Sequence, residues 1–110
     1  APNQTIYQNK YTKKFFKPVS YSVVKHGIIG LTKYTSTFWA KNNIRCNAVA
    51  FGGVYTNQNK SFVNKLKKLI PLGRMAKVNE YNSTIIYLIS DASSYMNGTV
   101  LVVDGGRTAW

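Results

Sequence analysis

The 110-residue chain carries fifteen Lys and Arg against three Asp and Glu, for a net charge of +12 and a pI near 10.0. Its 45% apolar and 14% aromatic content exceeds what a disordered chain carries. No apolar run approaches the roughly 20 residues that span a bilayer, and no signal-peptide pattern is present, so a cytoplasmic protein without a membrane partner is expected. The basic balance raises nucleic acid as a partner, since clustered cations neutralise phosphates and release counterions. The cations here are mostly lysine, however, and arginine, the better reader of phosphate and base edges, occurs only at Arg45, Arg74 and Arg107. Abundant lysine, asparagine, tyrosine and isoleucine are also what AT-rich coding sequence yields, so nucleic acid is set aside. The single Cys46 lies in an apolar run and reads as a reduced, buried thiol with no disulfide partner in the chain.

Residues 1–17 lack helical or strand periodicity and read as a loop. Pro18 suits a helix start, where a missing N–H costs nothing, and Val24, Ile28, Leu31 and Phe38 then recur at helical spacing, predicting a helix from Val19 to about Lys41. Gly27 and Gly30 inside it each cost about 1 kcal/mol relative to alanine, and such glycines usually admit another backbone. Asn42 and Asn43 end the helix, and the run Ile44 to Ala50 suits a buried parallel strand that closes at Gly52 and Gly53. Between Asn57 and Leu69 the apolar residues Phe62, Val63, Leu66 and Leu69 fall at helical intervals, as in a surface helix with its lysines outward. A last helix is predicted from a cap at Asn79 through about Ser90, with Glu80 near its positive end, and past Gly98 comes a strand at Val100 to Val103. No repeat, linker or low-complexity segment interrupts this order.

Tyr21 and Lys25 are the first candidates for chemistry. Four residues apart on a helix, they share a face, and an ammonium beside a phenol favours the ionised form, the requirement for tyrosine to exchange protons near neutral pH. The spacing alone is common in a chain so rich in both residues. The segments downstream are more specific: Asn43-Ile44-Arg45-Cys46-Asn47-Ala48-Val49-Ala50, then Phe51-Gly52-Gly53-Val54-Tyr55-Thr56, then Pro71-Leu72-Gly73-Arg74, then Ser90-Asp91-Ala92-Ser93-Ser94-Tyr95-Met96-Asn97-Gly98, and finally Val103-Asp104-Gly105-Gly106. In this order and at these separations, the motifs resemble the C-terminal half of a short-chain dehydrogenase/reductase, from about Pro18 to the last residue.

The resemblance implies an α/β fold, here the C-terminal part of a Rossmann-type doubly wound parallel sheet that is incomplete in this chain. Residues 1–110 would then be one portion of a single domain, with the dinucleotide-binding N-terminal half absent. Neither the family's glycine-rich phosphate loop nor its Asn-Asn-Ala-Gly segment precedes Tyr21. Counting back to where the family carries its catalytic serine lands on Gln8, in a polar stretch without strand pattern, so the serine is expected outside the chain.

It further implies an NAD- or NADP-dependent oxidoreductase acting on a small alcohol or carbonyl compound, with a sugar derivative as one candidate substrate. Tyr21 would be the acid/base and Lys25 its partner and a cofactor-ribose contact. Gly52, Gly53, Val54 and Thr56 would hold the nicotinamide end, although Phe51 stands where the family usually has proline. Homodimers or homotetramers are the implied assembly, with Gly27 and Gly30 at an interface and plain intrachain packing as the alternative. His26 reads as structural and no metal is expected. The closing Arg107-Thr108-Ala109-Trp110, together with the stretch from Ser90 to Asp104, is similar to a branch of the family associated with bacterial surface-sugar and flagellin modification. A catalytically inactive scaffold or oligomerisation module is the competing reading, and a basic nucleic-acid binder a more distant one.

Overall fold

A computed structural model describes residues 17–110. Helix α1 spans Val19–Phe38. It opens on Pro18 in extended backbone, whose carbonyl accepts from Tyr21 N at 3.0 Å. The helix stops short of the predicted Lys41 because Trp39 leaves helical geometry (φ −100°, ψ 3°), and a single 3-10 turn, Ala40–Asn42, comes next. Asn43 then takes the left-handed conformation (φ 58°), which asparagine tolerates better than most residues.

Strand β1 is Ala48–Phe51, four residues further on than the Ile44 start expected from hydropathy. The reason is that residues 45–47 spend their hydrogen-bonding groups on side chains and loops. Arg45 donates from Nη1 to Met96 O at 3.0 Å and from Nη2 to Leu88 O at 3.1 Å. Cys46 N donates to Asn97 Oδ1, and Asn47 bridges Met96 O and Thr99 N through its amide. Asn97 Nδ2 in turn reaches Ser36 O in α1 at 2.9 Å. Cys46 is half-buried within this weld, less enclosed than expected.

Helix α2 is Lys60–Lys67, shorter at both ends than its apolar pattern suggests, and capped by Asn59, whose Oδ1 accepts from Ser61 N at 2.9 Å. Its apolar face packs Phe62, Val63 and Leu66 against Ile70 and Met75 in a small core. Helix α3 is Asn82–Ile89. The expected cap at Asn79 is corrected: the helix begins later, Tyr81 occupies the capping position without a side-chain bond, and Asn79 contributes its carbonyl to Asn82 N. Glu80 is turned away from the helix end because Arg74 and the Lys77 N–H hold its carboxylate.

Strand β2, Val100–Val103, occupies the predicted residues and pairs in parallel with β1, from Ala48 opposite Val100 to Phe51 opposite Val103. Ala48 N→Thr99 O and Gly52 N→Val103 O, both 2.9 Å, extend the ladder at its two ends. Parallel pairing requires a long crossover, here supplied by α2 and α3, while α1 packs against β1. Beyond β2, Gly105 and Gly106 take φ of 67° and 86°, and their close approach to Ile70 and Pro71 leaves no room for a side chain. The two glycines thus close a tight turn after the strand.

Much of the apolar surface has no cover among the described residues. On α1, Val23, Leu31 and Tyr34 are each more than 60% exposed, as are Ile86 and Ile89 on α3. The α/β class and the parallel pairing expected from the sequence are both present in this unit.

Candidate functional site

Tyr21 and Lys25 lie in the first two turns of α1, both exposed, with Lys25 Nζ 5.6 Å from the centroid of the Tyr21 ring. The helical spacing therefore does bring the pair together. Lys17 Nζ sits nearer, 4.1 Å from the same centroid, so Tyr21 lies between two ammonium groups. Sequence reasoning passed over Lys17, although it stands in the same four-residue relation to Tyr21 on the other side. His26 Nδ1 is 2.9 Å from Ser22 O, a local helix contact that agrees with a structural role. No group of metal-ligating side chains occurs among the described residues. The position counted back to Gln8 lies outside the described residues.

The segment after β1 is built in layers. Gly52 lies where the ends of β1 and β2 meet, and a Cβ there would stand 2.9 Å from Asp104 Cα. Glycine was expected at this position for the approach of a ligand; the structure shows a nearer cause, the Asp104 backbone. Tyr81 Oη donates to Gly52 O at 2.9 Å, and the Tyr81 ring stacks on Phe51 with centroids 4.0 Å apart. Phe51 thereby gains a partner for the ring that replaces proline. The ladder bonds come from Ala48 N and Gly52 N, an even-numbered set, so the Phe51 amide faces away from β2.

Further along, Val54 bridges Ala76 in parallel: Tyr55 N donates to Ala76 O at 2.9 Å and Ala76 N to Gly53 O at 3.0 Å. The opposite side of the turn is held by Gln58, whose Nε2 donates to Val54 O at 2.7 Å while its Oε1 accepts from Thr56 N at 2.8 Å. Gln58 was not among the predicted residues; a glutamine two to four positions beyond a glycine-rich turn is the signal that could have marked it. Thr56 is exposed.

Two cavities adjoin this segment. The larger, about 520 Å³, is lined by Tyr55, Gln58, α2 and residues 74–78. The smaller, about 160 Å³, lies at the carboxyl ends of β1 and β2 and includes Gly52, Gly53, Tyr81 and Asp104. Neither is lined by Tyr21 or Lys25, so the structure brings the loop residues together with one another but does not enclose them with the tyrosine and lysine.

Around the smaller cavity the electrostatics are local and structural. Arg74 makes a two-pronged pair with Glu80, both distances 2.7 Å. The bond from Arg74 and then that from the Lys77 N–H hold the Glu80 carboxyl down to about 2, and Glu80 in turn raises Arg74. Burial works to raise the Asp104 carboxyl, but bonds from the Thr108 hydroxyl and from the Gly106, Thr108 and Arg107 amides outweigh it and leave it below the usual range. Partial burial, then Glu80 and Asp104, push the Tyr81 phenol up, so it stays a donor to Gly52 O.

A parallel α/β unit with a glycine turn at the carboxyl end of a strand has its turn where open α/β sheets place their ligands. The chain belongs to the short-chain dehydrogenase/reductase family: a family model described as enoyl-(acyl carrier protein) reductase matches residues 6–108. An NADH-dependent L-xylulose reductase of Ambrosiozyma monospora is 39% identical over 100 residues, 84% of this chain and 37% of the relative. A short-chain dehydrogenase from Leptospira borgpetersenii, solved with bound NAD+, superposes with a TM-score of 0.81 at 33% identity, covering 90% of this chain and 40% of that one. A chain from Agrobacterium tumefaciens solved with bound NADP has a TM-score of 0.76 at 34% identity, covering 83% and 39%. The chain thus spans about 37–40% of the length of these proteins.

Proposed function

We propose that this chain is the C-terminal portion of an NAD- or NADP-dependent oxidoreductase that interconverts a small alcohol and its carbonyl compound, with a sugar derivative as one candidate substrate. The observation that carries the reading is the exposed Tyr21 flanked by Lys25 and Lys17, on the helix preceding a glycine turn at the end of a parallel strand. Membership of the family supports it, as do a relative named as an NADH-dependent L-xylulose reductase and similar structures solved with NAD+ and with NADP.

In this reading Tyr21 Oη takes the hydroxyl proton from an alcohol, or returns it to the oxygen of a carbonyl. The neighbouring ammonium groups stabilise the negative charge that develops on the phenol oxygen. A nicotinamide, when bound, supplies or accepts the hydride at the same carbon. With such a cofactor bound, Lys25 would also hold its ribose, Gly52, Gly53 and the Val54 N–H would hold its nicotinamide end, and Thr56 would offer its hydroxyl. The residues present fit such a group: Val54 O and Thr56 N are already bonded to Gln58, which fixes the turn without occupying the Thr56 hydroxyl. The dinucleotide's phosphates and the catalytic serine belong to sequence preceding this chain, and the parent assembles as a dimer or tetramer in which α1 is covered.

The test is Tyr21→Phe in the parent protein. Turnover falls by about 10²-fold or more, the scale of general acid/base catalysis, with folding and cofactor affinity nearly unchanged. Lys25→Ala weakens cofactor binding as well. Full turnover by the Tyr21→Phe protein refutes the assignment, and the scaffold reading then takes its place.

A further inference from the structure

The cavity between α2 and residues 74–78 has a composition that the proposed oxidoreductase chemistry does not by itself require. Its floor is apolar, formed by the buried Val63 and Met75 with Val78 at the side. Its rim carries Lys60 and Lys67 from α2 and Lys77 from the facing segment, and no Asp or Glu lines it. The fourth lining cation, Arg74, is already neutralised by Glu80. Three lysines from two facing segments therefore line one cavity together with Val63, Met75 and Val78. Such an arrangement focuses positive potential into the cavity, and an anion entering it relieves the repulsion among the lysines. The cavity starts at Tyr55 and Gln58, directly after the glycine turn.

We propose that this cavity is a subsite for the carboxylate end of the substrate, so that the substrate class is an oxo or hydroxy acid rather than a neutral polyol. The proposal rests on the oxidoreductase reading for the fate of the ligand, but the binding it asserts does not. The three lysines bind the carboxylate as point charges, and Val63, Met75 and Val78 receive the adjoining carbon chain. A neutral alcohol of the same length meets the same floor and gains nothing from the rim.

The test is calorimetric titration of the full-length protein with hexanoate and with hexan-1-ol at fixed ionic strength, without turnover. Hexanoate is expected to bind about tenfold or more tightly than hexan-1-ol, a difference of about 1.4 kcal/mol. The K67Q/K77Q variant removes that preference while leaving hexan-1-ol affinity unchanged. A control variant, K33Q/K41Q, lowers the net charge equally at exposed positions outside the cavity and retains the preference. Equal affinities for the two probes overturn the proposal. So does an unchanged hexanoate affinity in K67Q/K77Q, or an equal loss in K33Q/K41Q, which would trace the attraction to net charge. A protein whose Tyr21 proves dispensable would still show this binding, so the two readings fail separately.

Discussion

Replacing Gly52 by alanine sets two effects against each other whose sizes are fixed by the geometry. The new Cβ would stand 2.9 Å from Asp104 Cα and 3.3 Å from both Asp104 Cβ and Tyr81 Oη. Carbon atoms prefer a separation of roughly 3.5–4.0 Å, so the closest contact is short by about half an ångström or more. The obstructing atom is backbone, held at the end of β2 where Gly52 N donates to Val103 O, and relief means prising the strand ends apart. Overpacking of this kind costs about 1–3 kcal/mol. Against it, losing a glycine restricts the unfolded chain and returns about 0.4–1 kcal/mol. The net expectation is destabilisation of about 0.5–2 kcal/mol, read from urea unfolding of the parent protein as a lower midpoint at unchanged slope. Gly53→Ala is the control. Its Cβ meets the mobile end of Met75 at 3.1 Å and Leu66 at 3.4 Å, so the change stays within about 0.5 kcal/mol. A Gly52→Ala protein as stable as the original would refute the close-approach argument.

Among the described residues, Gly27→Ala and Gly30→Ala meet nothing within 4 Å, so against these neighbours each stabilises α1 by about 0.8–1 kcal/mol. If α1 packs closely on another helix in the parent, sedimentation will instead show weakened association; stabilisation with unchanged oligomer size would refute that packing. The Glu80 carboxyl is lowered from 4.5 to about 2, so the stability it contributes is fully present above about pH 4.5 and is lost as the pH falls toward 2. Glu80→Gln should flatten this window in pH-dependent unfolding, and added salt should shrink the difference, because the pair is exposed; an identical pH profile in the variant would count against the pairing. Arg45→Met removes one of two side-chain donors from each of the Leu88 and Met96 carbonyls, which keep Ser93 Oγ and Asn47 Nδ2, and costs about 1 kcal/mol or more, measured by thermal unfolding; a change below about 0.5 kcal/mol would show that the weld is not held by Arg45.

The features legible in the sequence were those that depend on local pattern. Val100–Val103, an apolar run after Gly98, became β2 at the predicted residues, and Pro18 marked the start of α1. The ends that hydropathy misplaced are set by distant partners. Arg45, Cys46 and Asn47 look like strand residues but bond across some fifty positions to the loop before β2, and Glu80 answers to Arg74 rather than to its own helix. Among the candidate site residues, the Tyr21–Lys25 proximity comes from helical spacing, as does that of Lys17, which precedes the helix and was passed over, whereas the two-sided bonding of Gln58 became visible with the backbone in place. Gly52 was read for its permissiveness toward a ligand, when the nearer demand is a strand-to-strand approach that no one-dimensional pattern records.

The Gln58 clamp bears on the thermodynamics of whatever enters beside it. One side-chain amide closes the turn by binding the carbonyl of Val54 and the N–H of Thr56, while Ala76 secures Gly53 and Tyr55 from the other side. Fixing the backbone of a free residue costs about 1–2 kcal/mol, so three residues shaped in advance spare an incoming molecule several kcal/mol of ordering. The turn behaves as a mould already set before it is filled: its affinity is bounded by the few groups it still exposes, and its selectivity comes from a shape that the ligand does not have to create.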